Sequence, residues 1–223
     1  MHPETPSRRR AAQSALVLGP VLAAVSVILQ PDLSGSAHHQ LIAIGDSPRG
    51  AISAVAFLVS QLPMLIAVLV IGRLLLPRAP RLSAWGTGLG VLGCFGHTVF
   101  GGVSMVYVVM AHDPKHLDVY AHLMHKMNSS PVMLFSAAGL LGTVVGLLLL
   151  GIGLFRTRTG PVWVGPAIWA FLLVEFVGSS LSPQASYLSI LLLGAAFWAL
   201  VPRLVPVRSA APDYEPGRMN PVS

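Results

Sequence analysis

Charge is what this sequence has least of. Only 10% of its 223 residues are charged, eight of them acidic, and Lys115 and Lys126 are the only lysines. A soluble domain carries roughly a quarter charged residues, so water is not the main solvent of this chain. Cysteine is scarcer still. Cys94 stands alone, which excludes an intrachain disulfide and any cysteine cage for zinc. Aromatic residues make up 7%, and no Lys/Arg stripe interleaves with them. The formal charge of +6 therefore implies no nucleic-acid partner, because a membrane protein with basic loops has the same balance. No P-loop, nucleophile elbow or metalloprotease spacing occurs.

In place of charge stand long apolar runs. Hydrophobic residues reach 54%, with a mean hydropathy of +0.72. A helix crossing a bilayer needs about 20 mostly apolar residues, and six segments qualify: 11–30, 51–76, 84–111, 131–155, 161–181 and 185–202. Turn-rich breaks such as "QPDLSGSAHH", "LPRAPRLSAW" and "SSLSPQ" separate them. The runs are continuous and far longer than the ten or so residues of a barrel strand. The fold expected is an all-α integral membrane bundle of six transmembrane helices over residues 1–208. The tail 209–223, "SAAPDYEPGRMNPVS", reads as disordered and cytoplasmic.

The basic residues orient the bundle. With the N-terminus inside, Arg8, Arg9, Arg10, Arg73, Arg78, Arg81, Arg156, Arg158, Arg203, Arg208 and Arg218 are cytoplasmic, and Arg49, Lys115 and Lys126 are outside. Every loop agrees with the positive-inside rule, so both termini are expected in the cytoplasm of a cell with an inner membrane. The three arginines and "GSA" before His38 also resemble a signal peptide. The charge pattern works with the first helix in place, so its retention is expected.

Helices in lipid approach one another through small residues. Gly86, Gly90, Cys94, Thr98 and Gly102 recur every fourth residue in the third segment, beside a second row of Gly93, His97 and Gly101. Ala138, Gly142 and Gly146 match them in the fourth. The third helix is therefore expected at the centre, with the hairpin of the last two helices packed outside.

Four of the eight histidines fall within "AHDPKHLDVYAHLMHKMNSS", residues 111–130. After Pro114 this stretch reads as a short amphipathic helix between the third and fourth spans. Asp118, His122 and His125 lie within about 60° of one another, opposite Leu117, Tyr120, Leu123, Met124 and Met127. Such a helix suits a membrane surface. Asp118, His122 and His125, with His38 and His39 from the other outer loop, are also candidate ligands for zinc or copper. Residues i and i+7 stand about 10 Å apart along a helix, so one ion would need the partner loop.

Inside the spans only His97 and Glu175 are ionisable, with Gln61 as an uncharged companion. Ionisable groups in the bilayer are costly and mark candidate sites. Gln61 lies twelve residues before Arg73, His97 twelve after Trp85, and Glu175 twelve after Trp163. At 1.5 Å per residue each sits about 18 Å from the inner interface, which makes one polar layer. A proton held between His97 and Glu175 would leave little charge to bury, so the two are expected within direct or one-water reach. Haem is not expected, because bis-histidine ligation needs two intramembrane histidines and only His97 is available, with Met64 as an unsupported second ligand.

The runs "LVLGPVLAAVSVILQP", "QLIAIGDSPRG" and "VAFLVSQLPML" resemble uncharacterised multi-pass membrane proteins of GC-rich bacteria, over roughly the first 80 residues. The resemblance implies a multi-helix inner-membrane protein and transfers no functional residue. The function expected is a small transport or solute- and proton-responsive protein using the Gln61, His97 and Glu175 layer. A membrane-embedded enzyme or metal-binding protein with an outer-face His/Asp site is the alternative. An accessory subunit with a membrane-protein partner, or a homo-oligomer, is another.

Overall fold

A computed structural model describes residues 5–182 and 184–204, and the expected tail lies outside the described residues. Eight α-helices follow in order: α1 Pro6–Leu29, α2 Ala37–Gly45, α3 Pro48–Leu75, α4 Pro80–Ala111, α5 Leu117–Asn128, α6 Val132–Thr157, α7 Val164–Phe176 and α8 Gln184–Trp198. No strand occurs among the described residues. Proline opens α1, α3 and α4, where its missing amide hydrogen costs nothing and its fixed φ suits the first turn. Ser47 caps α3 by accepting a hydrogen bond from the Arg49 amide at 3.2 Å.

Five helices are long and apolar enough to cross a membrane: α1, α3, α4, α6 and the Gln184–Leu204 stretch that begins with α8. The fifth expected segment is shorter than its composition suggested. Only Val164–Phe176, 13 residues, is α-helical there, followed by a 3-10 turn at Gly178–Ser180. That is about 20 Å of helix, against a hydrocarbon core of about 30 Å.

The long helices pack in chain order, α1 on α3, α3 on α4, α4 on α6, α6 on α7 and α7 on α8, and α8 returns to α1. The result is a closed ring. One end of the ring is filled by a single apolar cluster that includes Leu16, Leu75, Leu154, Ile168, Phe197 and Leu200. These residues come from the first half of α1, the ends of α3 and α6, the start of α7, and the end of α8 and the residues just after it. The arginines at 8–10, 73, 78, 81, 156, 158 and 203 flank the same helix ends, and Arg78 reaches the Thr159 hydroxyl at 3.5 Å. This is the basic end.

The opposite end carries α2 and α5 and a second cluster built on Leu41, Ile44, Tyr107, Met110 and Met124. It is the histidine end. Helix α2 lies in a stretch expected to be a turn. Ser36 caps it by accepting from the His39 amide at 3.3 Å, and Leu41 and Ile44 bury one side.

Two packing expectations are corrected. Helix α4 is not central, since the cluster at the basic end draws its buried residues from α1, α3, α6, α7 and α8 and none from α4. The α7–α8 hairpin is not peripheral, because Ile168, Phe171, Leu193 and Phe197 are buried in that cluster. Glycine permits close approach to one neighbour, which is a different property from being surrounded. The expected glycine row also runs off the interface. A step of four residues turns about 400°, so the row drifts about 40° each time and about 160° from Gly86 to Gly102. Thr98 is exposed, and a Cβ on Gly102 would meet nothing within 4 Å. The contact follows Gly86, Gly90, Gly93 and Gly96 instead, against Gly139, Gly142 and Gly146 of α6. A Cβ on Gly96 would lie 2.3 Å from the Gly139 Cα, so the two backbones meet with no room for a side chain.

Candidate functional site: a polar cavity inside the ring

The six ring helices line a cavity of ≈180 Å³ to which each contributes: Val27 from α1, Gln61 from α3, His97 from α4, Thr143 from α6, Glu175 from α7 and Leu193 from α8. The three polar residues expected at one depth thus line one space, and Met64 lines it too. They are not bonded to one another. No hydrogen bond or ion pair joins His97 to Glu175 among the described residues.

Each has a local partner instead. His97 Nδ1 lies 3.2 Å from the Thr143 hydroxyl, on the glycine-lined α4–α6 contact, and its ring meets Phe57 edge-on at a centroid distance of 5.9 Å. Gln61 donates from Nε2 to the Phe57 carbonyl and to Ser60 Oγ, both at 3.1 Å. The Ser189 hydroxyl of α8 donates to Glu175 Oε2, and Ser189 is 1% exposed. Thr143 and Ser189 were not singled out from the sequence. Their one signal is an isolated hydroxyl within an apolar run, in "LLGTVVGL" and "YLSILLLG".

Glu175 sits in the last turn of the short α7, whose end is closed by the Ser179 hydroxyl donating to the Glu175 carbonyl. Because α7 stops here, the carboxylate also borders a second cavity, of ≈380 Å³, towards the histidine end. Gln30, Gln40, Ser53, Tyr107 and Asn128 line that space. Gln30 and Asn128 are exposed, so it reaches the surface. Val27, Phe57 and Glu175 border both cavities. The two cavities therefore adjoin at these residues, and Phe171 and Leu193 of the apolar cluster line the inner one.

The outer histidines are arranged differently. Helix α5 spans Leu117–Asn128 with Met124 buried and Asp118, His122 and His125 exposed. Leu117, Tyr120, Met124 and Met127 of its apolar side pack in the cluster with Leu41 and Tyr107, while Leu123 stays exposed. His38 Nδ1 lies 2.8 Å from Asp118 Oδ1, which ties α2 to α5. His39 Nδ1 is held against the Ser34 carbonyl at 3.0 Å. Among the described residues no three His, Cys, Asp or Glu side chains are grouped as metal ligands.

The entry to α5 is fixed by Asp113, which accepts hydrogen bonds from His116 at 2.9 Å and from the Tyr120 hydroxyl at 3.0 Å. The bond from His116 is the main cause that holds the Asp113 carboxyl below its ordinary value of 3.8, and the Tyr120 bond adds to it. The same bond to Asp113 raises the Tyr120 phenol. A depressed carboxylate stabilises the fold above its unfolded value, and that contribution is lost as pH falls through the folded one. Asp113→Asn should therefore fray the start of α5, so that amide exchange at residues 115–120 becomes several-fold faster. Wild-type exchange there, corrected for intrinsic rates, should hold steady from about pH 7 to pH 5 and accelerate only below about pH 4. Unchanged exchange in the variant would mean that the bond does not hold the helix start.

No protein-family model, no curated protein and no solved structure matches this chain.

Proposed function

We propose that the protein is a six-span protein of the cytoplasmic membrane that takes up a small solute or a proton from outside the cell, in a pocket built on Gln61, His97 and Glu175. The five long apolar helices make it a multi-pass membrane protein. Helix α7 serves as the sixth crossing in this reading. It begins in the apolar cluster at Val164 and ends beside both cavities at Glu175, and α8 brings the chain back. The basic residues put the arginine end in the cytoplasm and the histidine end outside, with α5 at the outer membrane surface.

The observation that carries the reading is that all six ring helices contribute to one cavity, which both intramembrane ionisable residues line and which adjoins a second cavity towards the histidine end. Ligand sites in membrane bundles lie between helices near the midplane, where polar groups line a cavity. An accessory role built on the glycine face of α4 has less support, because those glycines are spent against α6 within the chain.

Thermal unfolding of purified protein against a panel of small polar solutes tests the proposal. A solute at about 100 times its dissociation constant adds about 2.7 kcal/mol, which reads as a rise of several degrees in Tm. Glu175→Gln and Gln61→Ala should each remove that rise while leaving the unliganded Tm within a few degrees. A stabilising solute whose effect survives both substitutions binds elsewhere, and the proposal then fails.

A further inference from the structure

The hydrogen-bonding state of the cavity walls limits what can occupy them. Several donors are already committed to the protein. Ser60 Oγ donates to the Phe57 carbonyl at 2.6 Å, Ser53 Oγ to the Ser26 carbonyl at 2.8 Å, and the Tyr107 hydroxyl to Asn128 Oδ1 at 3.3 Å. Gln61 spends its amide hydrogens on Phe57 and Ser60, which leaves Oε1 as an acceptor without a partner among the described residues. Glu175 can accept more bonds than the single one from Ser189. At Gln61 and Glu175 the unspent capacity is therefore lone pairs.

Charge points the same way. Among the described residues, Glu175 is the only acidic side chain lining either cavity, and no lysine or arginine lines them. An anion would meet no positive partner there, and a neutral apolar molecule would leave the carboxylate unpaired, which costs free energy in a low-dielectric site. Aromatic rings share both cavities with Glu175. Phe57, Phe171 and Phe176 line the inner cavity, and Phe57, Phe100 and Tyr107 the outer one. Phe57 stands edge-on to Phe100 at a centroid distance of 6.1 Å. Ring faces attract a cation that has shed its water.

We propose that the pocket binds a small organic monocation, an ammonium compound, with Glu175 as its counter-ion and the phenylalanine rings as its walls. This deepens the proposed function and rests on the pocket being open at the histidine end. Gln61 and Ser60 accept hydrogen bonds where the ammonium carries N–H groups. A quaternary ammonium uses the carboxylate and the rings alone. A single carboxylate balances one positive charge, so a monocation fits this pocket better than a polyamine, whose further charges would stay unpaired.

The chain supplies its own reporter, because Cys94, its single cysteine, lines the inner cavity. Two thiol reagents of similar size and opposite charge are compared on protein in nanodiscs, where both faces meet water. They are trimethylammonium-ethyl and sulfonato-ethyl methanethiosulfonate. Each forms a mixed disulfide with the thiol and releases methanesulfinate. Dividing each rate by that for a free thiol in solution removes the reagents' intrinsic difference, and the reactivity of Cys94 itself cancels in the ratio. A cleft lined by one sign of charge raises the local concentration of the opposite ion by a factor of 10 or more. The cationic reagent should therefore label Cys94 about tenfold faster or more, with the ratio falling as salt rises. Glu175→Gln should bring the ratio close to one, and Glu175→Asp should preserve it. Equal labelling of the wild type, or faster labelling by the sulfonate, overturns the cation assignment while leaving an open pocket. Failure of both reagents to label overturns the open pocket, and with it the proposed function.

Discussion

Gly96→Leu should abolish the folded bundle, and Gly139→Val should come close to doing so. A Cβ on Gly96 would lie 2.3 Å from the Gly139 Cα and 2.5 Å from the Phe135 carbonyl oxygen. One on Gly139 would lie 2.6 Å from the Gly96 Cα. Those contacts are backbone atoms, which no rotamer change can move. Overpacking costs about 1–3 kcal/mol and occasionally more, and a clash with backbone belongs at the upper end, a large part of a typical domain's stability. Gly88 and Gly102 of the same helix are the controls, because a Cβ there meets nothing within 4 Å. Alanine at either should be neutral or should add up to about 1 kcal/mol through helix propensity. Thermal unfolding in detergent compares the four variants. If Gly88→Ala and Gly96→Leu lose stability alike, the α4–α6 contact is not where it is described.

The second large effect belongs to the apolar cluster at the basic end. Phe197 is fully buried there, beside Leu16, Leu75 and Ile168. Truncation to alanine removes its contacts and leaves a void, at a cost of about 3–5 kcal/mol. It should also thin the barrier between the inner cavity and the basic end, so that reagents applied at that end reach Cys94. Phe197→Leu refills most of the space and should keep both stability and closure. A Phe197→Ala protein that is destabilised yet still sealed would show that the cluster supports the fold without being the barrier.

Much of this arrangement can be read from the chain alone, and the physical reasons are specific. Long apolar runs announce α1, α3, α4 and α6, because a membrane-length helix must bury every backbone polar group. Counting from Arg73, Trp85 and Trp163 puts Gln61, His97 and Glu175 at one level, because rise per residue is nearly constant, and all three line one cavity. What the chain hides is azimuth and partner. Whether Gly102 faces a helix or lipid depends on the 40° drift of a four-residue repeat. That His97 meets Thr143 and Glu175 meets Ser189 depends on how the ring closes. A serine in a run such as "YLSILLLG" looks no different from any other until α8 returns against α7. Helix α2 was hidden for another reason: its nine residues follow a break rich in Gly, Ser and Asp, and its buried side exists only once α4 and α5 are beside it.

A membrane-spanning ring with a pocket open at the histidine end and sealed at the basic end is what we propose. Sidedness of Cys94 labelling in the unaltered chain tests it most directly, with an impermeant cationic thiol reagent applied to sealed vesicles of either orientation. In right-side-out vesicles, with the histidine end facing the added reagent, Cys94 should be labelled. In inside-out vesicles, with the arginine end facing it, Cys94 should stay unmodified until the membrane is opened with detergent. Labelling from the arginine side alone, or from neither side in both preparations, would contradict the account.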